Sequence, residues 1–145
     1  MGTGQMKRYL AFTVADLALA IQLDQVFEVV EVPPITKVPR PARHIEGLAN
    51  LRGKTIPVMD LRKRLGLINP VTTSRSRMIV ALPGGQREPL GFIVDSVGEI
   101  LSVGEAEGPA RVSAPWVDER LLAGTLEVHG QPVLLADLAK ILGND

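Results

Sequence analysis

A chain of 145 residues, 46% apolar and 22% charged, can bury one core or two small ones side by side and is too apolar to remain disordered. Sixteen basic residues balance sixteen acidic ones and aromatics make up only 3%, which excludes both the field and the stacking platforms expected of a nucleic-acid or anionic-lipid binder. The absence of cysteine excludes disulfides and thiolate metal sites and fits a reducing compartment.

At the N-terminus, Lys7 and Arg8 precede an apolar run that Asp16 interrupts, and Leu17, Leu19, Ile21 and Leu23 then alternate as in a strand rather than a signal peptide. Position 6 is Met, against the myristoylation pattern, and no segment reaches the length of a membrane span. A soluble cytoplasmic protein is expected. Strands are predicted near 8–15, 17–23, 28–32, 47–52 and 54–59, and again near 77–83, 89–94, 98–103, 121–128 and 131–136. Four prolines in "VPPITKVPRPAR" (32–43) make that stretch a stiff extended loop, and "LPGGQ" (82–86) reads as a hairpin tip. Pro57 and Pro132, inside otherwise good strands, mark edge or bulge positions. The closing "LADLAKIL" (135–142) is expected to form an amphipathic helix over a barrel end. Short strands at this spacing predict small closed barrels.

An internal repeat organises these elements. At an offset of 77, "GKTIPVMDLRKRLG" (53–66) faces "GQPVLLADLAKILG" (130–143) with six identities in fourteen positions, including Gly53/Gly130, Asp60/Asp137 and Gly66/Gly143. Each copy has a turn glycine, an apolar strand, an Asp suited to a helix N-cap and a stop glycine. At an offset of 71, "IQLDQVFEVVEV" (21–32) faces "FIVDSVGEILSV" (92–103). The change of offset falls in the loop around "GEAEGPARVSAPW" (104–116). Two homologous subdomains are expected, the first about 8–70 and the second about 75–142, with the C-terminal helix packing across them.

No catalytic constellation emerges. His44 and His129 stand alone as surface or turn residues, so neither metal nor cofactor is expected. Phosphate-binding and nucleophile motifs are missing, and without a nucleophile–base pair a small hydrolase is disfavoured. Asp24, Asp60, Asp95 and Asp137 recur at strand-to-helix junctions, where Asp serves as a cap. "RKR" (62–64) reads as a solvated helix face. Arg52, just before the turn glycine in "NLRG", has two readings. It ties down a carboxylate or loop carbonyls, or it serves a purpose outside the fold. The second repeat has "EVHG", with His129 in its place, and a side chain needed to close the barrel should recur in both copies.

"HIEGLANLRGKTIPVMDLRKRLGL", with "LAIQLDQVFEVVEV", "GFIVDSVGEIL" and "VLLADLAKIL", resembles the CheW family of chemotaxis coupling proteins over nearly the whole chain. The "NLRG…PV.DL" block carries most of the specificity; Ala49 stands where the family usually has a larger aliphatic. The resemblance implies a mostly β fold of two SH3-like five-stranded barrels sharing a core, with short helices and no catalysis. It implies a cytoplasmic adaptor, recruited to receptor arrays at the inner membrane without inserting into it. Its partners would be the cytoplasmic tip of methyl-accepting chemoreceptors and the regulatory domain of the histidine kinase CheA, with no role for nucleic acid. The same adaptor in a non-flagellar pathway (pili, surface sensing or second-messenger control) is the alternative. By resemblance, receptor binding would use Val26, Glu28, Gly47, Asn50, Arg52, Ile93 and Val94 in a groove between the barrels. Kinase binding would use a barrel edge near Pro39 and Val58. Arg52 is then expected on a rigid strand end, its fork shielded by Leu48 and Leu51.

Overall fold

The computed structural model describes residues 6–42, 44–84, 86–104 and 114–143. Most of the loop at 104–116 therefore lies outside the described residues. Ten strands follow one another: β1 (Lys7–Val14), β2 (Leu17–Gln22), β3 (Val26–Glu31), β4 (Ile45–Leu51), β5 (Lys54–Asp60), β6 (Arg77–Ala81), β7 (Leu90–Val94), β8 (Ser96–Val103), β9 (Leu122–Val128) and β10 (Gln131–Ala136). Helix α1 (Leu61–Leu65) follows β5 and helix α2 (Leu138–Ile141) follows β10. The strands expected from periodicity are all present.

They form two five-stranded sheets in the orders β8-β1-β2-β10-β9 and β3-β6-β7-β5-β4. The two orders are the same once β3 is set against β8, β4 against β9, β5 against β10, β6 against β1 and β7 against β2. Each contains one parallel pair, β5 with β7 and β10 with β2. The repeat is therefore real but circularly permuted. One barrel (barrel B) is continuous over 26–94. The other (barrel A) begins at β8 and is completed by the N-terminal hairpin, β1–β2. The division into sequential halves at 8–70 and 75–142 is thus not the division of the fold. Only three strands follow Asp95, too few for a barrel, and β1 fills the gap by pairing antiparallel with β8 while β2 pairs with β10.

Three apolar clusters result. Ala49, Ile56, Val58, Met78, Val80 and Ile93 fill barrel B, while Tyr9, Ala20, Leu101, Leu126, Val133 and Leu135 fill barrel A. The largest cluster lies between the sheets and draws on both, with Leu10, Phe12, Leu19 and Leu134 from one and Met59, Ile79, Phe92 and Val94 from the other. Alternation explains the split: on β7, Leu90, Phe92 and Val94 face the shared core while Ile93 faces the barrel interior. A strand buried on both faces has no polar side, as β7 does not.

Local chemistry fixes the joints. Arg52-Gly53 and His129-Gly130 both have positive φ at the two central positions (53° and 82°, 51° and 78°), the requirement of a two-residue hairpin turn matched to strand twist. Pro57 and Pro132 each precede the start of a parallel ladder, so neither removes a donor that the sheet needs. Asp60 caps α1 by accepting from Arg62 N, and Asp137 caps α2 by accepting from Ala139 N and Lys140 N. The terminal helix is shorter than expected: Leu135 and Ala136 remain in β10, and Leu138 and Ile141 turn into the shared core rather than over a barrel end.

Two further expectations are corrected. Asp24 lies inside a short 3-10 turn (Leu23–Gln25) that has no side-chain cap, and Asp95 caps no helix. The "RKR" face is not solvated throughout. Arg62 is 1% exposed and Arg64 is half-buried, because the short helix lies against both barrels.

Candidate partner-binding site

Strands β3 and β4 stand at opposite ends of their sheet and share no ladder. Full closure by hydrogen bonding, the sequence expectation, is replaced by two smaller devices. Thr36, in the proline-rich strap, exchanges a pair of backbone hydrogen bonds with Leu48 on β4 (both 2.8 Å). That approach needs Gly47, since a Cβ there would collide with the Thr36 carbonyl. At the other end of β4, Arg52 Nη1 donates to Glu28 Oε2 on β3 (2.8 Å). Asn50 Oδ1 accepts from Gly53 N (2.9 Å) and holds the turn between them.

The seam thus brings together Glu28, Gly47, Asn50 and Arg52, in roles the sequence could not separate. Glu28 is the partner of Arg52, Asn50 is a turn brace, and Gly47 admits the strap. Arg52 lies in the turn rather than at a strand end, and its side chain is 74% exposed, so Leu48 and Leu51 do not shield it. An exposed pair of this kind contributes about 0–1 kcal/mol to the fold. Its Nη2 and Nε donors make no bond among the described residues, which leaves one edge of the fork for an incoming acceptor.

Three of the other residues named from the resemblance do not reach the surface. Val94 is fully buried in the shared core, and Ile93 (5% exposed) fills barrel B, so neither presents its side chain at the surface. Val58, assigned to the kinase contact, is fully buried between Gly47 and Gly91. Val26 is half-buried against the shared core, and Pro39 is exposed on the strap. The two histidines occupy turns, as expected, at φ 67° for His44 and 51° for His129.

Sequence reasoning missed Phe27. It neighbours Glu28 on the seam strand and is 62% exposed, a large apolar ring in a chain with few aromatics. A bulge between Val26 and Glu28 sets its direction, and alternation does not announce a bulge. Strict period-2 counting through "VFEVV" therefore gives no stable inside and outside.

Among the described residues, no three of His, Cys, Asp and Glu gather as metal ligands would, and no helix is long and apolar enough to cross a membrane. What the seam offers is a cation, a carboxylate and an apolar ring on a rigid barrel edge. That set suits protein recognition.

Comparison with known proteins shows the family and the fold. A family model described as CheW-like domain matches residues 8–145. The chain is 30% identical over 134 residues to the chemotaxis protein CheW of Thermotoga maritima, covering 92% of this chain and 85% of that one. It is 27% identical to the chemotaxis protein CheW of Rhizobium meliloti, covering 96% and 89%. Similarity of the same order extends to protein FrzA of Myxococcus xanthus, 30% identical over 139 residues and covering 94% and 85%. Among solved structures, the scaffolding protein TtCheW of Thermoanaerobacter tengcongensis superposes with a TM-score of 0.79 at 32% identity, covering 92% of this chain and 90% of that one.

Proposed function

Because the chain belongs to the CheW family, we propose that it is a non-catalytic cytoplasmic adaptor joining the helical tip of a chemoreceptor to the regulatory domain of the kinase CheA. The observation that carries this is the asymmetry of two matched turns. Arg52-Gly53 and His129-Gly130 share backbone geometry, so that geometry belongs to the hairpin. Only the first carries an exposed guanidinium paired to a carboxylate, and its other edge stays open. A receptor hairpin that presents carboxylates and amides would meet this edge with two parallel hydrogen bonds, while Phe27 covers apolar surface beside it.

The kinase is proposed to dock elsewhere, on the exposed strap around Pro39, without Val58. The strap carries Lys37 and Arg40 and is held to β4 by the Thr36–Leu48 pair and by Ile45 N donating to Ala42 O. A non-flagellar pathway is the second reading: the chain is as similar to protein FrzA, whose name is not that of a chemotaxis protein, as to the Thermotoga CheW, 30% identical in each case. Which receptors are served would follow from neighbouring genes.

The test is reconstitution. Receptor cytoplasmic hairpins and CheA should assemble and raise kinase autophosphorylation only when this chain is added. Binary binding to each partner should persist without the other. No binding to either would end the adaptor proposal, and turnover in a broad substrate panel would replace it with an enzyme.

A further inference from the structure

Helix α1 is five residues long, yet its arginines reach both barrels. Arg62 is wholly buried. Its Nε and Nη2 donate to Asp60 of its own strand–helix joint (2.9 Å each), and its Nη1 donates to Asp95 (3.0 Å). Asp95 is the residue at which the chain leaves β7 of barrel B and enters β8 of barrel A. Its other oxygen accepts from Ala15 N in the β1–β2 turn (2.6 Å), and its own N–H donates to Thr13 O. Next to it, the Thr13 and Ser96 hydroxyls are 2.6 Å apart. A continuous polar chain therefore runs from α1 through the crossover to the N-terminal hairpin.

On the far side of the same helix, Arg64 Nε donates to Ile141 O (2.8 Å) and Nη2 to Lys140 O (3.2 Å), at the C-terminus of α2 in barrel A. Asp118 N, in the β8–β9 connection of barrel A, donates to Leu65 O. The barrels also meet through the apolar cluster, which opposes separation but has no directional preference. Hydrogen bonds are directional, and those to charged groups are the stronger kind.

We propose that α1 is a two-point clasp that sets the relative orientation of the two barrels, with Asp95 and Arg64 as positioning residues for coupling. The coupling role rests on the adaptor proposal above; the orientation role does not. Both partner sites proposed above lie on barrel B, so the orientation of the barrels serves coupling where a bound partner also bears on barrel A, a contact that sliding on the shared core would displace. Arg62 itself is excluded as a probe, since removing it strands the buried Asp60 carboxylate and risks the fold.

The experiment uses the chain's lack of cysteine. Thr55→Cys on β5 and Glu127→Cys on β9, both exposed, accept spin labels on opposite barrels, and their distance distribution is measured by pulsed electron resonance. Asp95→Asn and Arg64→Gln should each at least double the width of that distribution in a protein that still melts cooperatively, and the double variant should widen it most. Exchange at the Ala15 amide should quicken at least tenfold in Asp95→Asn. In the reconstituted assembly, kinase activation should fall at least fivefold while binary affinities change less than twofold. An unchanged, narrow distribution in folded variants overturns the clasp. Loss of folding in both single variants also overturns it, by making these residues a condition of the fold. If the distribution widens but kinase activation is unaltered, orientation does not serve coupling, and that half of the proposal fails.

Discussion

Barrels A and B have one strand order, one hairpin turn and one capped strand–helix joint, yet they use different side chains at two matched places and one glycine in different surroundings at a third. Arg52 of the first turn faces His129 in the second, Arg62 faces Ala139, and Gly66 (φ 125°) faces Gly143 (φ 76°). What the copies share is what a five-stranded barrel needs: glycine in the turn, aspartate at the cap, apolar alternation between. What they do not share belongs to the assembly of the two barrels or to something outside the molecule. Arg62 and Gly66 are of the first kind, and Arg52 is proposed to be of the second. Among the described residues, His129 makes no ion pair with Glu99, the counterpart of Glu28 in the other seam.

The largest contrast should be at Arg62 and Ala139. Arg62→Ala leaves Asp60 and Asp95 without their buried partner and should cost about 3–5 kcal/mol in chemical denaturation. Ala139→Ser, at the matching place, should cost under about 0.5 kcal/mol. Burial alone would push the Arg62 guanidinium pKa down, but hydrogen bonds and charge from Asp60 and Asp95 more than offset this and raise it. Its charge is therefore present throughout the accessible pH range.

A smaller contrast is expected between the stop glycines. A Cβ at Gly66 would collide with the Trp116 carbonyl and sit at an unfavourable φ, whereas at Gly143 the nearest atom is the flexible end of Arg64 at 4.0 Å. Gly66→Ala should cost roughly 2–3 kcal/mol and Gly143→Ala about 1 kcal/mol, the second from backbone conformation alone. Equal losses in the two variants would break the distinction between a packed joint and a simple stop.

Asp137→Ala should remove about 1 kcal/mol as a lost cap, without altering partner binding. In the Asp60 copy the same change also removes an Arg62 ligand, so it should cost more.

The smallest effect is at Asp118. Its hydrogen bond from Arg120 holds the carboxyl pKa below its ordinary value. A depressed carboxyl stabilises the fold above its unfolded pKa and ceases to do so as pH falls through the folded one. Arg120→Ala should move that NMR titration upward and narrow the gap in stability between neutral and acid pH. A titration that does not move would remove the Arg120 pair as the cause.

These contrasts explain what the sequence could and could not tell. Strand positions were readable because the short apolar runs of β1, β5 and β10 are bounded by polar and turn residues, and the caps at Asp60 and Asp137 because local chemistry alone sets them. Both repeat offsets were genuine, yet the halves were cut wrongly. Similarity along a chain is silent about which hairpin closes which sheet, and β1–β2 pairs across the ends of the sequence. Arg62 looked solvated because its neighbours are charged; Asp95, thirty-three positions away, makes its burial tolerable. Val58, Ile93 and Val94 follow the family's motif blocks, but on strands buried on both faces those blocks include core residues. Glu28 and Arg52 were nameable as a site, though not as a pair.

The division between shared and unshared residues is tested most directly by one paired measurement. Affinity for a receptor cytoplasmic hairpin and thermal stability are determined together for Arg52→Ala and His129→Ala. Both variants should melt within about 0.5 kcal/mol of the unaltered chain, since each residue is an exposed turn position. Arg52→Ala should bind the receptor hairpin at least about tenfold more weakly, a loss of about 1.4 kcal/mol or more, and Arg52→Lys should recover little of it. His129→Ala should bind normally. Receptor affinity left intact in Arg52→Ala, or a fold lost with it, would contradict the account and return Arg52 to the seam of its own barrel.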